Sequence, residues 1–259
     1  IFKLSGLAPQ ENFTALILLI LFFSAGAYLL YRLHILTRTG SLFAYLLGVY
    51  LAGIAGFSWT VPVVYFFLSS VALTQVNTFL NGKAKTANRR NAWQVLANIL
   101  PAMISSALFL ITKNEIYIFL FMALIAAVTA DTWASEIGPV FNKRCFSLAD
   151  FKMKPAGISG GISLAGSLAA LMASFTSAWL SVYLFFNHFE MRSILVITAS
   201  GFMASLVDSL LGAFIEPGLL KKKFFNQAMT SQTERITPND LVNFAGSLSA
   251  TLFLLALVG

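Results

Sequence analysis

Eight apolar runs of about 20 residues, separated by short polar stretches, govern what this chain can fold into. They fall at approximately 13–31, 41–57, 59–80, 92–111, 116–138, 161–186, 193–215 and 240–258. A run of that length crosses a hydrocarbon core as a helix, in which every backbone polar group is satisfied internally. A transmembrane barrel would instead show segments of about ten residues with alternating polarity, and none is present. Charged residues make up 10% of the 259 positions, against roughly 25% in soluble domains. The sequence predicts an all-α, polytopic transmembrane helix bundle of about eight spans, a single integral membrane domain over residues 1–259. The second and third runs are joined only by Phe57, Ser58 and Trp59.

Basic residues test the span assignment. Of the seventeen Lys and Arg residues, all but Lys3, Lys113 and Arg192 fall on one face. Removing a single crossing would scramble that sorting, and the positive-inside rule makes the rich face cytoplasmic. The formal charge of +7 is thus orientation charge in loops, and a nucleic-acid partner is not expected. No cleavable signal peptide is visible, and a chain that begins on Ile1 is expected to lack upstream residues. Cys145 is the sole cysteine, which excludes an intramolecular disulfide and a cysteine-rich metal site.

Residues 129–163 concentrate the chemistry. Asp131 and Glu136 close a strongly apolar run, a basic stretch carries Lys143, Arg144, Lys152 and Lys154, and a turn of Gly157, Ser159, Gly160, Gly161 and Ser163 leads into the next run. Asp208 sits toward the same basic end of the seventh run. A carboxylate within a membrane costs several kcal/mol, so such residues face the bundle interior and mark function. Asp131 and Glu136 are five residues apart, roughly 140° around a regular helix. Either the helix opens near Gly138–Pro139, or only one of the two meets a shared ligand.

Polar stripes identify the inward faces. Gly201, Ala204, Asp208 and Gly212 share one arc of the seventh run, and small residues there allow close helix approach. Asn91, Gln94 and Asn98 share one face of the fourth run and adjoin Lys85, Arg89 and Arg90, a grouping suited to phosphate. Asn243 continues inward from Thr237-Pro238-Asn239-Asp240, a helix-start signal. If the 157–163 turn opens the sixth helix, its N-terminus favours anions. His34 and His188 fall on opposite faces, so neither is placed as a base beside Asp131. The chain has no GxxxxGK[ST], HExxH or GxGxxG motif.

Five motifs occur in order: QVLAN (94–98), ADTWASEIG (130–138), KPAGISGGIS (154–163), DSLLGA (208–213) and ITPNDLVN (236–243). Together they resemble the integral membrane family that includes transmembrane protein 19 and the plant phytyl-phosphate kinase of tocopherol synthesis, across roughly 75–250. The Asp-x-x-Ala-Ser-x-x-Gly pattern with its basic, Gly/Ser-rich turn is also similar to dolichol and phytol kinases, and more distantly to phosphatidate cytidylyltransferases. The resemblance implies phosphoryl transfer from a nucleoside triphosphate, CTP above all, to an isoprenyl monophosphate. It implies that Asp131 holds Mg²⁺ and that Lys154 through Ser163 hold nucleotide phosphates.

Phosphoryl transfer needs mainly positioning and charge neutralisation, and the residues agree with it. Asp131, Asp208 and Glu136 are the expected metal and catalytic set, with Lys85, Arg89, Arg90 and Lys154 on phosphate oxygens. The expected partners are the isoprenyl monophosphate, its tail among the aromatic-rich helices, the nucleotide and membrane lipid; a homo-oligomer stays open. Two other classes stay in view: a cytidylyltransferase acting on a phospholipid, and an ion-coupled transporter, which predicts discontinuous helices and repeat symmetry.

Overall fold

A computed structural model of the chain describes residues 13–80, 89–215 and 236–258. Among the described residues, eight helices follow the eight apolar runs. They are α1 (Phe13–Arg32), α2 (Arg38–Tyr50, extended by a π-helical turn at Leu51–Ala55), α3 (Phe57–Leu80) and α4 (Ala92–Thr112). The second half comprises α5 (Ile116–Phe141), α6 (Leu164–Phe186), α7 (Met191–Ile215) and α8 (Pro238–Val258). Seven of them, α2 counted with its π turn, are long and apolar enough to cross a membrane, and α1 is an apolar helix of 20 residues. The boundary between the second and third runs falls at Gly56, with α3 starting directly at Phe57.

α5 is the axis of the bundle. Its residues from Phe121 to Ala130 are all buried, as a helix that is apolar around its whole circumference requires. It packs against α3, α4, α6, α7 and α8, while α1 lies outside, on α2. One end of the bundle is closed by Trp59, whose indole meets Phe121 at 4.7 Å, Phe185 at 4.9 Å and Phe109 at 5.4 Å between ring centroids. Such aromatic pairs contribute about 0.5–1.5 kcal/mol each beyond their buried area. Small residues bring the other helices close: Gly201 of α7 abuts Ser174 of α6 and Ala126 of α5.

The basic stretch after α5 is more than a loop. It folds into a three-stranded antiparallel sheet of β1 (Arg144–Ser147), β2 (Lys152–Pro155) and β3 (Gly161–Ile162), in the order β2-β1-β3. Cys145 and Ser147 point inward and Arg144 and Phe146 outward, the period-two alternation of a strand on a packed surface. Because β3 takes Gly161 and Ile162, the sixth helix starts later than its apolar run, with Ser163 as N-cap.

Candidate active site

At the end of the bundle away from Trp59, the last turns of α3, α5 and α7 meet the first turns of α4, α6 and α8. They enclose a cavity of about 610 Å³, walled on one side by residues 156–163. This is the end that carries Arg90, Lys143 and Lys154; Lys113 and Arg192 lie at the helix connections of the other. The cavity gathers Arg90, Gln94, Asn98, Asp131, Glu136, Gly157, Ser159, Gly160, Gly161, Ser163, Asp208 and Asn243, most of the residues singled out from sequence. Arg89, Asn91 and Lys154 do not line it, and Lys85 lies outside the described residues.

The carboxylates divide into two groups. α5 stays helical past Gly138 and Pro139 to Phe141, so Asp131 and Glu136 keep their separation around the helix and meet different partners. Asp131 comes within hydrogen-bond reach of Asp208 on α7. Glu136 turns to α3, where its Oε1 accepts from Thr74 Oγ1 at 2.7 Å and its Oε2 from Asn77 Nδ2 at 2.7 Å. Among the described residues no group of three or more His, Cys, Asp and Glu side chains is arranged to hold a metal. The expected three-carboxylate set is therefore a pair with Glu136 standing apart.

Arg90 faces the cavity from the connection into α4. Its Nη2 donates to Ser70 Oγ on α3. Its backbone is fixed by the turn between α1 and α2: Arg90 N–H donates to Ile35 O and Thr37 N–H to Arg90 O, both at 3.0 Å. Burial pushes its guanidinium below the ordinary value, opposed by the charge of Glu136. Arginine remains a cation at neutral pH all the same. The outlying α1–α2 pair thus serves to hold the one described cation lining the cavity.

The amides have mixed duties. Asn91 and Gln94 form a capping box at the start of α4, each side-chain oxygen accepting the other residue's backbone N–H. Asn98 Oδ1 accepts from Asn243 Nδ2 at 3.2 Å, linking α4 to α8 on the cavity wall. At the start of α6, Gly166 N–H donates to Ser163 Oγ and Ala165 N–H to Asn142 Oδ1. Two first-turn donors expected to favour an anion are thereby engaged within the protein. Lys154 pairs with Asp150 at 2.8 Å, which holds the Asp150 carboxyl below the usual range.

Several lining residues were not singled out from sequence: Thr74, Thr78, Cys145, Ser205, Ser209 and Asn239. A signal existed for some of them. Ser70, Thr74 and Asn77–Thr78 recur at helical spacing in an otherwise apolar run, as do Ser205 and Asp208–Ser209. Nothing local marks Cys145, whose Sγ donates to Pro155 O at 3.4 Å within the sheet.

The donor set at Asp131 and Asp208 fits Mg²⁺. Two carboxylates this close repel unless a proton or a cation lies between them, and Mg²⁺ takes hard oxygen ligands, often one or two carboxylates with substrate phosphates.

A family described as integral membrane protein DUF92 matches residues 15–251. An uncharacterised membrane protein of Methanocaldococcus jannaschii is 29% identical over 224 residues, covering 85% of this chain and 92% of its own. Protein PGR of Arabidopsis thaliana is 31% identical over 194 residues, 62% of this chain and 66% of its own. Protein VTE6, chloroplastic, also of Arabidopsis thaliana, is 34% identical over 93 residues, 36% of this chain and 27% of its own. No solved structure matches.

Proposed function

The chain belongs to the DUF92 integral membrane family, and on that premise we propose that it is a prenyl-phosphate kinase using CTP. The observation that carries the reading is the facing of Asp131 and Asp208 in a cavity also lined by Arg90 and the 157–163 loop. Its support from relatives is the likeness to Protein VTE6, chloroplastic, together with the motif resemblance to the plant phytyl-phosphate kinase.

In this reading a phosphate oxygen of the isoprenyl monophosphate attacks the γ-phosphorus of CTP. The bond from that phosphorus to the β–γ bridging oxygen breaks, and CDP leaves. A phosphate monoester has its second pKa near about 6 and is already ionised at neutral pH. It needs no strong base, in keeping with a site built from carboxylates, amides and one arginine. Asp131 and Asp208 would hold Mg²⁺, which when bound neutralises phosphate oxygens. Arg90 binds the acceptor phosphate, Gln94, Asn98 and Asn243 orient phosphate oxygens, and residues 157–163 wall the nucleotide side. Glu136 holds Arg90 by charge and α3 by its two hydrogen bonds. The unbroken α5 and α7 lend no support to an ion-coupled transporter built on discontinuous helices. The positive-inside rule puts the site on the cytoplasmic side.

The test uses purified protein in detergent with Mg²⁺, radiolabelled CTP, and phytyl, geranylgeranyl and farnesyl monophosphates. Label from the γ-phosphate appearing in a prenyl diphosphate is the expected result. Label from the α-phosphate entering phospholipid would replace the reading with a cytidylyltransferase, and no transfer from any nucleotide would remove it.

A further inference from the structure

Among the described residues, two helices that wall the polar cavity scarcely touch each other. α3 and α4 both line it, through Thr74 and Thr78 on one side and Gln94 and Asn98 on the other. Yet their backbones make at most isolated close approaches, and each packs against α5 instead. α2 packs on α4, and its principal contact with the α3 side is the π turn at their shared end. The two helices therefore share an apex at Gly56 and part toward the cavity end. Apolar side chains stand exposed on both: Leu42 and Leu46 on α2, and Leu68, Val76 and Phe79 on α3. At the inner end sits Arg90, which bonds α3 through Ser70 and the α1–α2 connection through Ile35 and Thr37. One cation thus joins all the elements that frame the opening.

An apolar wedge with a half-buried cation at its inner end is complementary to an amphiphile with an anionic head and a hydrocarbon tail. A charged head reaches a site at membrane depth most cheaply when its tail never leaves hydrocarbon. We propose that the wedge between α2 and α3 is the lateral entry and tail-binding cleft for a lipid monophosphate, whose head passes Arg90 to reach the cavity. The proposal rests on the kinase reading for the fate of the head, and on the helix arrangement alone for the path of the tail.

The experiment uses the full chain in nanodiscs with geranylgeranyl monophosphate carrying a diazirine on its terminal isoprene unit. After illumination, adducts are mapped by mass spectrometry, with and without excess unmodified geranylgeranyl monophosphate. Adducts within 38–80 that the competitor removes are expected. Adducts concentrated on α6, α7 or α8, or adducts that the competitor leaves in place, overturn the cleft. Arg90→Gln should weaken saturable labelling by roughly tenfold or more, the loss of a charge-assisted contact, and Arg90→Lys should restore part of it. Labelling of Arg90→Gln equal to that of the unmodified protein overturns the head path. Turnover is measured on the same preparation. Saturable adducts within 38–80 without diphosphate formation would remove the kinase and keep the cleft.

Discussion

Asp208 of α7 lies directly against Gly246 of α8: a Cβ on residue 246 would stand 2.8 Å from the Asp208 Cβ and 3.0 Å from its Cα. That close approach is what seats α8 on α7 beside the carboxylate pair, and no side chain larger than hydrogen fits there. Gly246→Ala should shift α8 or turn Asp208 away from Asp131. The expected cost is about 1–3 kcal/mol of stability, typical of overpacking, with a loss of turnover larger than the stability change explains. Thermal unfolding in detergent beside phosphoryl-transfer assays checks this; unchanged values in both would show that the contact does not set the site.

The carboxylate pair itself should be indispensable to activity and dispensable to folding. Asp131→Asn and Asp208→Asn each keep the side-chain shape and relieve like-charge repulsion. Turnover should fall by roughly 10²–10³-fold or more, the scale of removing a charge-stabilising group from an active site, while the elution profile stays normal. Chelation of Mg²⁺ should act likewise on the unmodified protein. Activity retained in either variant would remove the metal role.

Glu136 should behave as a structural anchor more than as a ligand. Both its oxygens are occupied by α3, and it is the charge opposing the desolvation of Arg90. Thr74→Val leaves Oε1 without that donor and should cost about 1–3 kcal/mol. Glu136→Ala strips both α3 bonds and leaves Arg90 without its counter-charge, so it should destabilise more than Asp131→Asn does. Equal unfolding temperatures for Glu136→Ala and Asp131→Asn would contradict the division of roles.

How much of this was legible in the sequence depends on the range of the signal. Helices are written locally, in the length and apolarity of each run, so seven spans and the apolar α1 appear where the runs are. The inward faces were legible too, since Asp208 and Asn98 lie on stripes of helical period. The partners of Glu136 were not, because Thr74 and Asn77 are 62 and 59 residues away in the chain. Nor was the sheet: strands of four, four and two residues carry too little periodicity, and KMKP reads as a basic loop. The clamp of the α1–α2 turn on Arg90 uses backbone groups, which no side-chain pattern announces.

Cys145 gives a pH-dependent readout of the sheet that walls the cavity. Burial pushes its thiol up from the ordinary value, more than the Ile158 N–H and the Lys154 charge draw it down. Folding therefore favours the protonated thiol. That contribution is fully present below the unfolded pKa and is lost as pH rises through the raised folded one. Alkylation by N-ethylmaleimide should be slow at neutral pH, and its rate should climb with a midpoint above the model-peptide value of about 8.5. A midpoint at or below that value would mean that the thiol is not held in the buried strand.

The two positive-φ glycines of the loop separate its docking from its flexibility. Gly160 has φ +70°, and a Cβ there would collide with Ala213 on α7. Gly157 has φ +86° but meets nothing within 4 Å. Alanine at either position takes on left-handed backbone strain of about 1–3 kcal/mol. Only at residue 160 does it also push the loop off the end of α7, two turns from Asp208. Gly160→Ala should therefore lose both phosphoryl transfer and the protection of Cys145 from alkylation, whereas Gly157→Ala should lose some stability and keep most of its activity. If the loop instead needs flexibility to close over nucleotide, the order reverses. Gly157→Ala would then be the inactive variant, with Cys145 still protected.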